Sequence, residues 1–335
     1  MASRLGRMGR RLGVWIPPAL LRGLGRPAAV FFHGVEAVTA DPRVQINHHE
    51  TDAFCEIARV LKADFDVLPL SQVEDALARP ERHRRTVFLM SDDGYANTLS
   101  VAAPILETLG LPWTLFVSTH HIDTGARNPV FLVQLFFHYM PGGRYRIPHL
   151  PLQALGPAET REGLAQSAVH ALKKLDMARA REAVEAVEAH MQAAGLASLA
   201  ERFASETFLD WDAVKTLHAK GVEIGAHADW HWPMDAGQTP AQLREQAVGP
   251  KARIEAETGP CRGWAVAKAV AVGNKAAALR LFVEAVLHSA YRPAMAVRIF
   301  LQIFLPDRFY RRLADSTLRK RPPLQTSAAA LERAC

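Results

Sequence analysis

Two carboxylates, Asp92 and Asp93, stand side by side directly after the apolar run Val87-Phe88-Leu89-Met90. A charged pair at the end of a buried strand costs free energy unless a cation or hydrogen bonds compensate it. Adjacent side chains on extended backbone point to opposite sides, so one carboxylate can bind a metal while the other faces a substrate. Alone, an Asp-Asp-Gly is more often a turn. A second pattern changes that weighting: His227 and His231 lie four residues apart, just past the apolar run Val222–Gly225. If the chain turns helically after that run, the two imidazoles share one face and can share an ion. Two neutral nitrogens and one carboxylate make the ligand set of an open catalytic metal site with a place left for water.

Both patterns must be carried by strands, and the chain supplies candidates. Ala28–His33, Val67–Leu70, Val87–Met90, Thr114–Ser118, Val222–Gly225, Trp264–Ala267 and Ala294–Val297 read as buried strands. Between them, Glu50–Leu61, Gln72–Ala78, Thr98–Leu109, Trp211–Ala219 and Lys275–His288 have helical spacing. Strand and helix in alternation predict an α/β fold with a parallel sheet, as a barrel or an open sheet. In a parallel barrel the chemistry sits where strands end, which is where both patterns fall. Residues 126–208 break the rhythm: no strand is predicted there. An aromatic run, Phe131 to Tyr139, is followed by the turn Pro141-Gly142-Gly143 and a helical tract from about Ala158 to Ala194. This is read as a helical insertion between two barrel strands, either a lid or wall of the cleft or a packing pad outside the barrel.

Composition narrows the function classes. A chain of 335 residues, 49% hydrophobic and 22% charged, is ordinary globular protein. It has no run of about 18 uncharged apolar residues, which argues against a conventional transmembrane helix. Cys55, Cys261 and Cys335 form no CxxC or CxxH pair, so neither a disulfide scaffold nor a thiolate zinc cluster is expected. The net charge of +6 is local: Arg4, Arg7, Arg10, Arg11, Arg22 and Arg26 lie in residues 1–27, which hold no acid. Without those six, the basic residues equal the 34 acidic ones, so the body is neutral and no nucleic-acid partner is expected. The basic leader 1–27 is suited either to peripheral contact with an anionic membrane or to a solvated terminus. It makes a poor signal peptide, since Pro17-Pro18 interrupts its apolar stretch. The expected location is cytoplasmic, at most peripheral to a membrane, with export left open. Residues 28–315 are expected to form the catalytic domain and 316–335 a loose tail.

Taken together, the residues resemble the polysaccharide deacetylase family, carbohydrate esterase family four. Met90-Ser91-Asp92-Asp93-Gly94 is similar to the family's Thr-Phe-Asp-Asp-Gly, and His227-Ala228-Asp229-Trp230-His231 to its His-Ser/Thr-xx-His. Phe32-His33-Gly34-Val35, Leu68-Pro69-Leu70, Phe116-Val117-Ser118-Thr119 and Glu223-Ile224-Gly225 extend the likeness over roughly residues 28–297. The resemblance implies an irregular (β/α) barrel. It also implies a divalent metal, zinc first, held by Asp93, His227 and His231, with Asp92 as general base. The implied reaction removes N-acetyl groups from amino sugars of a polysaccharide, with an N-acetylated polysaccharide or oligosaccharide as partner. Substrate-binding residues are not assigned.

The chain also departs from the family pattern. Ala228 stands where a hydroxyl residue is usual, and Gly263 to Lys268 has neither the tyrosine nor the proline of the third motif. The late histidine has no clear counterpart, because His288 lies within the helical tract Lys275–Ser289. Two alternatives therefore stand beside the deacetylase: a non-catalytic barrel that binds glycan or a partner, and a metal-dependent amidase with a non-sugar substrate.

Overall fold

The computed structural model describes residues 27–79, 81–232, 239–259 and 263–264. All of these except Thr239 fall in one compact unit. The leader before Pro27, the expected strand Ala294–Val297, the helix Lys275–His288 and the tail lie outside the described residues.

Most of the apolar runs become one parallel sheet, but Val67–Leu70 keeps only Val67 in a strand and turns into a 3-10 helix at Leu70, since Pro69 has no N–H to continue the ladder. The sheet's strands are β1 (Ala28–Phe32), β4 (Asp66–Val67), β5 (Thr86–Ser91), β6 (Thr114–Val117), β9 (Glu223–Ala226) and β10 (Gly263–Trp264). Strands β1, β5, β6, β9 and β10 are neighbours in that order, and β4 also pairs with β5. Every residue of β6 and nearly every residue of β5 is buried, because helices cover both faces and leave no place for alternating polar positions. A short parallel pair, β2 (Gly34–Glu36) with β3 (His48–Glu50), lies beside the sheet. The covering helices include α1 (Thr51–Asp64), α2 (Val73–Ala78) and α3 (Ala103–Thr108), the last preceded by a π-helical turn at Thr98–Ala102. The short helix α4 (Thr119–Thr124) follows β6 directly. Helices α8 (Trp211–Ala219) and α9 (Pro240–Thr258) flank β9 in the chain, and α8 starts at Asp210, whose carboxylate accepts the Ala213 N–H at 2.8 Å. None of the helices among the described residues is long and apolar enough to cross a membrane.

The stretch 126–208 holds helices α5 (Pro129–Tyr139), α6 (Arg161–Leu172) and α7 (Met177–Ala193). Asn128 caps α5 by accepting the Val130 N–H at 2.8 Å, and Pro129 opens it with a fixed φ. Asp176 caps α7 in the same way. Contrary to the expectation of no strand here, β7 (Gly143–Tyr145) and β8 (Gln153–Leu155) form an antiparallel hairpin. Strands of three residues are too short for their periodicity to show. Of the two readings of the aromatic run, burial favours the packing pad: Phe131, Phe136 and Phe137 are 3% exposed or less and pack on α6 and α7. The run forms a core of its own. That second hydrophobic cluster is distinct from the one around the sheet, and it also takes in Val44, Trp230 and Trp232.

Candidate metal centre

The two strand-end patterns meet where expected. Strand β5 ends at Ser91, and the Asp92 N–H donates to Phe32 O of β1 at 2.9 Å, carrying the sheet ladder one residue further. The chain then turns sharply. Asp93 takes φ 77° and Gly94 φ 86°, and a Cβ on Gly94 would sit 3.1 Å from the Val117 side chain. A left-handed aspartate is costly, and such strain persists only where the surroundings enforce it. The Ser118 N–H donating to Asp93 O at 3.3 Å and the Leu209 N–H donating to Gly94 O at 2.9 Å hold this turn from two sides.

The histidine loop leaves β9 beside it. The His227 N–H donates to Val117 O at 2.8 Å, and Ser118 Oγ donates to His227 O at 3.1 Å. Thr119 Oγ1 donates to Asp229 at 2.7 Å, so the start of α4 braces the loop. The expected helical turn between the histidines is absent: Ala228 has φ 66° and His231 φ 50°. The two rings are brought together instead by a left-handed loop, with centroids 4.8 Å apart and planes at 31°.

Asp93 is completely buried, and both of its carboxylate oxygens lack a hydrogen-bond partner. The Nε2 atoms of His227 and His231 lie 3.0 and 3.1 Å from its Oδ1, yet neither contact is aligned as a hydrogen bond. One donor atom from each of the three residues falls within 4.8 Å of the others. An ionised carboxylate buried without hydrogen bonds is expensive, and a shared cation is what this donor set fits. Burial alone would push the Asp93 carboxyl up, but His231, His227 and His33 outweigh it and hold it below the usual carboxylate range. Burial pushes His231 down to about 3 against the pull of Asp93, which leaves its imidazole neutral and able to ligate at ordinary pH. His231 keeps 22% of its side chain exposed and so marks the open side of the cluster.

Asp92, also buried, stands outside the ligand trio at the adjoining position. The site has a second polar layer that spacing did not reveal. Glu206, only 2% exposed, has its Oε1 3.6 Å from His48 Nε2, and His48 Nδ1 lies 3.3 Å from Glu36 Oε1. Tyr95 places its ring edge-on to His48 and stacks on Phe208, which stacks on His121. The polar run Asn47-His48-His49-Glu50 was the only sequence signal for this layer. Of the third-motif segment, only Gly263 and Trp264 lie among the described residues, as β10 paired to β9. His288 lies outside them.

A cluster of Asp93, His227 and His231 that could hold a metal ion, at the carboxyl ends of parallel strands, defines the class: a parallel α/β chain with a candidate metal centre. The particular family follows from the chain itself, since the polysaccharide deacetylase profile matches residues 79–269. The chain belongs to the polysaccharide deacetylase family. Its structure is similar to that of the Streptococcus pyogenes deacetylase PplD solved with acetate, at 13% identity and a TM-score of 0.46, over 83% of this chain and 81% of that one. It is also similar to a de-N-acetylase from Aggregatibacter actinomycetemcomitans, at 16% identity and a TM-score of 0.41, over 73% and 84%. No curated protein sequence matches the chain.

Proposed function

We propose that the chain is a divalent-metal-dependent hydrolase that removes N-acetyl groups from amino sugars of a polysaccharide. The observation that carries this reading is the buried, hydrogen-bond-free carboxylate of Asp93 facing two imidazoles within 4.8 Å. Asp93, His227 and His231 would hold the ion, with zinc the first expectation for a set of two nitrogens and one oxygen. When bound, such an ion supplies Lewis acidity, polarising an amide carbonyl and lowering the pKa of water to about 7. Asp92 takes the proton of the attacking water. Water adds to the N-acetyl carbon, the carbon–nitrogen bond breaks as the proton held on Asp92 passes to the departing nitrogen, and acetate and the free amine leave. The buried ligands keep bulk water from competing for the site, while the more exposed His231 side is the approach for a sugar.

The test is acetate release from a panel of N-acetylated oligosaccharides, with and without added zinc, in wild type and two variants. Asp93→Asn should lose bound zinc and activity together. Asp92→Asn keeps the shape and removes the base, so zinc should stay while turnover falls by roughly 10² to 10⁴. Wild type that neither binds zinc nor gains activity from it would replace this reading with the non-catalytic barrel. Release from non-sugar amides alone would favour the amidase.

A further inference from the structure

We propose that the helical segment around α6 and α7 positions the ligand His231, through a clamp formed by Arg181, Trp230, Trp232 and Gln246. This rests on the metal-site reading above and concerns how that site is held. The two histidines are anchored by different parts of the chain. His227 is tied to the sheet by its N–H on Val117 O and by Ser118 on its carbonyl. His231 sits five residues past the end of β9, outside any helix, at φ 50°. A non-glycine residue holds that conformation only when its surroundings impose it.

Those surroundings are the two flanking tryptophans. Trp230 and Trp232 are 6% and 4% exposed and pack into the second hydrophobic cluster, not the sheet's own. The Arg181 guanidinium of α7 lies 4.9 Å from the centre of the Trp230 ring, a cation–π distance. The Trp232 Nε1–H donates to Leu175 O at 3.0 Å, in the turn between α6 and α7. The Trp230 N–H donates to Gln246 Oε1 at 3.3 Å, and Gln246 Nε2 reaches Met177 Sδ at 3.4 Å. Gln246 is fully buried, so α9 closes the clamp from its other side. The chain on both sides of His231 is thus held by groups other than Asp93 and His227. Groups that orient a ligand from outside typically change metal affinity by about 10- to 100-fold when removed.

Zinc affinity of the full chain, measured by competition with a chromophoric chelator, tests this alongside thermal melting of the metal-free protein. Arg181 is solvent-exposed, so Arg181→Met should fold normally. It should weaken zinc binding by about 10-fold with the metal-free melting midpoint unchanged, and Trp232→Phe, which removes the buried bond to Leu175 O, should weaken zinc binding by about 10-fold while lowering that midpoint as well. Arg181→Lys keeps a cation over the ring and should recover most of the affinity. Wild-type affinity in folded Arg181→Met and Trp232→Phe would overturn the clamp and leave the metal site standing. Weaker binding in Arg181→Met that merely tracks a loss of metal-free stability would overturn it too, reducing the side chain to a packing role. A wild-type chain that binds no zinc would overturn both readings.

Discussion

Glu206 has no place in the proposed chemistry, yet it is 2% exposed and close enough to feel Asp93. Burial pushes its carboxyl up to about 8, Glu36 and Asp93 add to the rise, and Arg127 opposes it. The folded value lies above the unfolded 4.5, so the folded chain binds the proton more tightly. The stability this contributes is fully present below about 4.5 and is lost as pH rises through about 8. Glu206→Gln should therefore stabilise the metal-free protein at pH 9, by up to a few kcal/mol, and change little near pH 4; urea denaturation at the two pH values checks it. His48 and His121 act in the opposite direction. Burial lowers both to about 4 from 6.5, so their contribution holds above 6.5 and fades as pH falls toward 4. The candidate ligands Asp93, His227 and His231 were legible because they follow apolar runs at a telling spacing. Glu206 and His48 were not, since an isolated buried acid or imidazole leaves no periodic trace.

At the scale of elements, the β2–β3 pair depends on one glycine. A Cβ on Gly34 would lie 2.3 to 2.7 Å from ring atoms of His48, whose ring packs directly against that backbone. Gly34→Ala should cost about 1–3 kcal/mol in denaturant unfolding, because the buried imidazole must be displaced. The aromatic helix α5 gives the contrasting case. Phe136 is fully buried among rings that include Phe137 and Tyr145. Phe136→Ala should destabilise by about 3–5 kcal/mol, with no preference between long and short substrates in the protein that remains folded. A selective loss on long oligosaccharides without loss of stability would restore the cleft-wall reading. The strands β5, β6 and β9 were legible from apolar runs that burial on both faces demands, and β1 from an apolar run that the sheet leaves partly exposed. The hairpin β7–β8 and the left-handed loop from Ala228 to His231 were not, because pairing partners and positive φ are set by contacts remote in the chain.

For the whole molecule, the excess charge before residue 28 leads to a proposal about location: the leader at most holds the chain on an anionic membrane face. Deleting residues 1–25 should leave acetate release intact and reduce sedimentation with anionic vesicles, and unchanged sedimentation would remove the membrane proposal. The family, the parallel α/β class and the identity of the candidate ligands were determined by the sequence alone. Strand-length apolar runs and the types and spacing of Asp92, Asp93, His227 and His231 are local properties, and local properties are written in the chain. Only the tertiary structure decided how those ligands converge. It set the carboxylate of Asp93 against two imidazoles by bending three non-glycine residues into the left-handed region. It also divided the loop's anchorage between the sheet and the cluster around α5, α6 and α7. The physical reason is that strain of this kind is unfavourable in isolation and is sustained by packing between segments far apart in sequence, such as Leu175 against Trp232, which no local pattern encodes.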